Sequence, residues 1–268
     1  MTSGNQSKRG RRTAKVAPPP VRAKGQRRQA SPRIVATAAA GVVLLVLAAI
    51  LGFTFSRGGS SPTNVPQRGT LANALPGAAD VDKLLKGIPQ HGNVLGRPAA
   101  PTTLVEYVDL QCPFCQEFET QAMPALIKLY VRTGKTKVEL RPVAFIGADS
   151  QLGRSAAIAA GRQNKMFNFA ELLYVNQGVE NSGWLKDSLI TAAAASIPGL
   201  DVPQLLAARN STATDSRAAA FDRLSTRDAV RATPTILVGK TGGSLKPVTL
   251  ASPSDAQSVA AALNRALR

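Results

Sequence analysis

The chain has little of what most metal and haem sites are built from: one histidine, His91, and two cysteines, Cys112 and Cys115, in 268 residues. A single chain so equipped cannot assemble a Cys₄ or Cys₂His₂ zinc site. Covalent c-type haem attachment is excluded as well, because Gln116 rather than histidine follows the second cysteine. The first 33 residues lack acidic residues, aromatics and any apolar run, and they include Pro18-Pro19-Pro20. Such a segment cannot bury surface and is expected to be disordered. It also carries ten of the 33 Lys and Arg, so the formal charge of +17 is largely that of a tail. The remaining 235 residues hold 23 basic against 16 acidic side chains. So mildly basic a body gives no reason to expect a nucleic-acid partner.

What the tail lacks, the next segment has. Residues 34–55 form a 22-residue run without a charge, bounded by Arg33 and Arg57. A helix of that length matches the hydrocarbon thickness of a bilayer, and no polar face marks it as a helix of a soluble core. The run is longer than the apolar region of a signal peptide, and Phe53-Thr54-Phe55-Ser56-Arg57 is a poor cleavage sequence, so an uncleaved anchor is expected. Basic residues crowd its N-terminal side, which puts residues 1–33 in the cytoplasm and everything after Arg57 outside. Residues 56–87 have linker composition, with a short helix expected near residues 80–86 and ended by Gly87.

Residues 102–110 read as a strand buried on both faces, residues 117–133 as a helix and residues 137–145 as a second strand, which together make a βαβ unit. Residues 148–228 are Ala-rich with helical periodicity. In the last part, 229–268, residues 236–238 form a strand after Thr233-Pro234, and a helix over 251–267 opens at Ser252-Pro253. The order predicts an α/β domain, begun by residues 88–147 and completed by 229–268, with a helical insertion between. Phe118, Met123, Phe167, Phe169 and Trp184 are expected in the core. Asn210-Ser211-Thr212 matches a glycosylation acceptor, a triplet that also arises by chance.

The two cysteines carry the chemistry. A structural bridge between i and i+3 closes a tiny loop and removes little unfolded-state entropy. A redox pair remains, placed after a strand and before a helix. At a helix start, unpaired backbone N–H groups and the positive end of the macrodipole favour an anion, so Cys112 is the expected nucleophile with a lowered thiol pKa. Cys115, one turn further in, is placed to resolve a mixed disulfide, and Pro113 suits a first turn where its missing N–H costs nothing.

The segment from Val105 to Cys115, with Cys112-Pro113-Phe114-Cys115 at its end and Ala232-Thr233-Pro234-Thr235 far downstream, resembles the DsbA-like branch of the thioredoxin superfamily. The block from Ala159 to Phe167, followed by Leu172 to Gln177, looks like the helical insertion of membrane-anchored bacterial relatives. The resemblance covers residues 88–268 and implies a thioredoxin-like fold with an inserted helical domain. It implies that Pro234 is the loop proline that is cis in this superfamily and lies against the disulfide. Thr233 would then pair with substrate through its backbone, Pro113 and Phe114 would contact it, and Glu106 would be the buried acid that exchanges a proton with Cys115. Asp109 is a weaker candidate, with capping or solvent exposure as its ordinary reading.

The implied activity is disulfide introduction into exported proteins with free thiols, without a bound cofactor. A quinone-linked membrane reoxidase, DsbB-like or similar to vitamin K epoxide reductase, would restore the disulfide. The motif departs from the strongest oxidants in carrying Pro-Phe rather than Pro-His, because Phe114 cannot donate a hydrogen bond to the thiolate. A reductase or isomerase of the same fold, or a tethered binding module or chaperone without redox activity, are the alternatives. A further idea is that the basic tail binds anionic lipid at the inner membrane face.

Overall fold

The computed structural model describes residues 65–268; the basic tail, the apolar run 34–55 and residues 56–64 of the expected linker lie outside the described residues. Among the described residues no helix is long and apolar enough to cross a membrane.

The elements follow in the order α1 (Ala78–Leu85), β1 (Gln90–His91), β2 (Val94–Leu95), β3 (Thr102–Asp109), α2 (Pro113–Glu117), α3 (Met123–Leu126), β4 (Thr136–Val143), α4 (Ala148–Gly161), α5 (Met166–Val175), α6 (Asp187–Ala195), α7 (Val202–Ala208), α8 (Thr212–Arg227), β5 (Thr235–Lys240), β6 (Lys246–Val248) and α9 (Ala256–Ala266). One six-stranded sheet has the order β1-β2-β4-β3-β5-β6. β3 lies between β4, which it pairs in parallel, and β5, which it pairs antiparallel. Every residue of β3 is buried, as a near-continuous apolar run with both faces covered requires. Successive side chains alternate between the two faces. Leu104 and Val108 join the main core under the helices, whereas Val105 and Tyr107 pack with Val143, Val230 and Leu237 on the other side.

The helical segment after β3 departs from the expected regular helix over 117–133. It starts earlier, at Pro113, and alternates α-helical turns with π-helical ones over Phe118–Ala122 and Ile127–Val131. Pro124 accounts for the irregularity: without an N–H it cannot bond the carbonyl of Thr120, and wider turns accommodate the break. Phe118, Glu119, Ala122 and Met123 of this segment are all buried.

Two expected boundaries move for identifiable reasons. β4 ends at Val143 instead of 145, because the N–H groups of Phe145 and Ile146 donate to the Asp109 carboxylate at 2.8 and 3.1 Å and leave the sheet. α9 opens at Ala256 rather than at Ser252-Pro253, capped by Asp255, whose carboxylate accepts from the Ser258 N–H at 2.9 Å. The hairpin β1–β2 and strand β6 are too short to show a period in the sequence. In the triplet 210–212, Ser211 caps α8. Phe118, Met123, Phe167 and Phe169 are buried, and Trp184 packs against the core while partly exposed.

The segment 67–75, for all its linker composition, is stitched onto the helical insertion. Gly69 donates to the Leu200 carbonyl at 2.8 Å, Thr70 to that of Ala195 at 2.8 Å, and Gly199 donates back to Gly69 at 3.0 Å. The approach is close enough that a Cβ at position 69 would collide with the Ile197 and Ala194 carbonyl oxygens, so glycine is required there.

Candidate active site

The loop between β3 and α2 is held from several directions. Asp109, at the end of β3, is fully buried and does not face water. Its carboxylate accepts from the Gln111 N–H at 2.9 Å and the Ser150 hydroxyl at 2.7 Å, besides Phe145 and Ile146. Gln177, from the helical insertion, donates to the Leu110 carbonyl at 2.9 Å, and Tyr174 donates its hydroxyl to the Asp109 carbonyl at 3.1 Å. The cysteines thus leave a loop fixed by both the sheet and the insertion.

Cys112 is the N-cap of α2 and Pro113 follows at the first helical position. Both cysteines are free thiols and both are buried, Cys115 completely. Between them Phe114 projects outward, 58% exposed. Thr233 and Pro234 are joined by a cis peptide bond, and the Cys112 Sγ lies 3.3 Å from the Thr233 carbonyl oxygen. Residues 121 positions apart therefore meet at one sulfur.

The two thiols are pushed in opposite directions. The Cys112 thiol is lowered from 9.0 to about 6. The Cys115 thiol, donating to the Cys112 sulfur, contributes most; burial opposes it, and the Thr233 side chain and the backbone N–H groups of Cys115 and Phe114 assist. The helix start thus lowers this pKa as expected from the sequence, but the second cysteine does more. Cys115 is raised well above its ordinary value by burial, by donating to Cys112 and by the nearby Cys112 charge. The pair is one thiolate and one thiol sharing a proton-bearing contact.

Glu106 points from β3 toward the face that packs under the helix of Cys115 and is completely buried. Burial pushes its carboxyl up to about 8. Two further buried acids escaped the sequence reading, Glu119 and Glu171, and burial raises both well above the carboxylate range. Glu171 was findable: it is the only charged residue in α5, MFNFAELLYV. Among the described residues no group of His, Cys, Asp and Glu could hold a metal ion.

An exchange-prone cysteine pair at the head of the helix after a central strand, faced by a proline loop that opens a neighbouring strand, defines a thioredoxin-like protein with a thiol–disulfide site. A family model described as Thioredoxin matches residues 90–250, more than half of the sequence, and the chain belongs to that family.

Among curated proteins it is 33% identical over 113 residues to a "Probable disulfide bond formation protein D" of Bacillus cereus, covering 41% of this chain and 52% of that one. It is 28% identical over 156 residues to "Disulfide bond formation protein D" of Bacillus subtilis, covering 58% and 68%. The chain spans about half the length of the first of these relatives. The oxidised BdbD structure from Bacillus subtilis superposes with a TM-score of 0.58 at 23% identity over 67% of this chain and 97% of that one, a likeness of fold. A DsbA from Wolbachia pipientis gives 0.55 at 18% identity over 70% and 95%.

Proposed function

We propose that the chain is an extracytoplasmic thiol–disulfide oxidoreductase that works as an oxidase, introducing disulfides into exported proteins. One observation carries this reading: the Cys112 thiol, beside the Thr233 carbonyl, is lowered to about 6 while its partner Cys115 is raised. At neutral pH about nine-tenths of Cys112 is then thiolate. A stabilised thiolate favours the dithiol form and makes the disulfide oxidising.

In the oxidase direction a substrate thiolate attacks the Cys112 sulfur of the Cys112–Cys115 disulfide. The S–S bond breaks, its electron pair leaves on Cys115, and Glu106 supplies the proton that Cys115 takes up. The substrate's second thiolate then attacks its own sulfur in the mixed disulfide and expels Cys112 as the thiolate. Two electrons pass from substrate to enzyme. Pro113, the exposed ring of Phe114 and the backbone of Thr233 contact the extended substrate. The names of the Bacillus relatives support disulfide formation as the task.

The uncharged run 34–55 supports an anchor with the catalytic domain outside, where disulfides persist. A quinone-linked membrane protein, DsbB-like or similar to vitamin K epoxide reductase, returns the pair to the disulfide, and the anchor keeps both in one membrane. Equilibration of the reduced protein with glutathione buffers tests the direction. A potential well above the roughly −270 mV of thioredoxin is expected, and a value near it would mark a reductase instead.

A further inference from the structure

Three carboxyls from three elements converge beneath the thiol pair: Glu106 of β3, Glu119 of the first π-helical turn and Glu171 of α5. They are 0, 4 and 5% exposed. Glu119 stands one turn beyond Cys115 on the same helical segment, and Glu106 comes from the sheet face on which that segment packs. No cation pairs with any of them among the described residues. Both carboxyl oxygens of Glu106 and Oε1 of Glu119 are buried with no hydrogen-bond partner. Ionised carboxylates only accept, so these neighbours, Glu119 beside Glu106 and Glu171 beside Glu119, can meet one another's need only where one of a pair holds a proton. Burial is the main reason that each carboxyl is raised above the ordinary carboxylate range, and mutual repulsion adds to it.

The far end of this row reaches water. Glu119 and Glu171 line an open cleft of about 640 Å³ beside α1, whose walls also carry Lys83, Lys86, Lys128 and Arg132, with Asp80 as the one other acid. A further titratable group beside the carboxyls is Tyr174, whose own pKa is raised by burial and by the charges of Cys115, Glu119, Glu106 and Asp109. Its hydroxyl proton is committed to the Asp109 carbonyl. The row therefore has a buried end near the resolving thiol and a wet end on a cationic wall, which attracts hydroxide and buffer anions.

We propose that Glu119 and Glu171 form with Glu106 a carboxyl relay that carries the proton exchanged at Cys115 to and from the solvent of this cleft. The proposal rests on the thiol–disulfide reading and adds a route to it. When the Cys112–Cys115 bond is broken by a substrate thiolate, Cys115 leaves as a thiolate and takes a proton from Glu106. Glu119 reprotonates Glu106, Glu171 reprotonates Glu119, and water in the cleft reprotonates Glu171. On reoxidation by a disulfide-bearing partner the proton leaves Cys115 by the same steps in reverse, while two electrons pass to the partner's disulfide. Glu171 belongs to the helical insertion, so the insertion takes part in catalysis as well as in shaping the fold.

The test uses Glu171→Gln, the carboxyl farthest along the row from the thiols, in the full chain. Single-turnover oxidation of a dithiol peptide is expected to slow about tenfold or more at pH 7, less than the roughly hundredfold of a group that transfers the proton directly, because Glu171 acts through its neighbours. The glutathione equilibrium and the Cys112 titration midpoint should stay unchanged, which a merely structural defect would not allow. In Glu171→Ala, added formate should restore much of the rate by occupying the vacated place.

Infrared difference spectra between oxidised and reduced protein provide a second readout, independent of turnover. Bands of protonated carboxyls should change, and one should vanish in Glu171→Gln. Wild-type rates in Glu171→Gln together with an unchanged spectrum would overturn the relay and leave the oxidoreductase standing. A wild-type chain that exchanges no thiols at all would overturn both.

Discussion

The Cys112 sulfur faces the Thr233 carbonyl oxygen at 3.3 Å, and its proton is governed less by the helix it opens than by the thiol of Cys115 one turn away. Replacing Cys115 therefore has a measurable effect on a residue it does not displace. In Cys115→Ala the Cys112 midpoint, followed by thiolate absorbance in the ultraviolet, is expected to rise from about 6 by one unit or more. In Cys115→Ser, where a hydroxyl still donates, the rise should be smaller. Equal midpoints in the two variants would show that the helix N-terminus alone sets the acidity.

Phe114→His bears on the same thiolate from outside. A histidine at this exposed position adds a donor where the phenyl ring has none. The Cys112 midpoint should fall further, and the glutathione equilibrium should shift toward the dithiol by about three- to tenfold, roughly 1 kcal/mol for one new charge-assisted hydrogen bond.

Glu106 couples stability to pH. Its folded pKa of about 8 is raised above the ordinary 4.5, so the folded state binds the extra proton between those values. The stability this group contributes is complete below about pH 4.5 and is lost as pH rises through 8. Glu106→Gln removes that loss. The variant should exceed the parent in denaturant unfolding by on the order of 4 kcal/mol at pH 7.5, with the gap closing toward pH 4.5. A gap that widens on acidification would contradict the assignment.

Asp109→Ala should be among the most destabilising substitutions outside the apolar core. Four donors, three of them backbone N–H groups, would lose their acceptor in a dry site. A loss of about 3 kcal/mol or more is expected in urea unfolding.

Tyr107→Phe tests the other face of the sheet. The Tyr107 hydroxyl donates to Asp228 at 2.6 Å and accepts from Arg141 at 2.6 Å, tying the end of α8, from which the proline loop departs, to β3. The substitution should cost about 1–2 kcal/mol. Reaction with a dithiol peptide should slow as well, as the loop bearing Thr233 loosens.

Much of this site could be read from the chain because its parts announce themselves locally. A buried strand, a proline between two cysteines and a helix start are neighbours in sequence, and Thr-Pro before a β-forming run stands out unaided. Glu119 and Asp109 were harder. Glu119 stands four residues after Cys115 and four before Met123, on the inward face, but an acid there reads as a solvent-facing residue until its burial is seen. Asp109 looks like any acid at a strand end until the loop after β4 brings three of its four donors from residues 145–150. The docking of residues 67–75 was illegible for a simpler cause: it is made by backbone groups, which every sequence has.

The five helices lodged between β4 and β5 also set a timetable. During synthesis the two cysteines emerge well before the proline that must face them. A chain still lacking its last forty residues has thiols but no counterpart loop, and its redox pair is unfinished. Loop closure across so many residues is slow compared with forming the local strand–helix–strand piece. Full reactivity therefore waits for the segment that carries Thr233 and Pro234, which keeps a half-made chain from exchanging thiols with its neighbours.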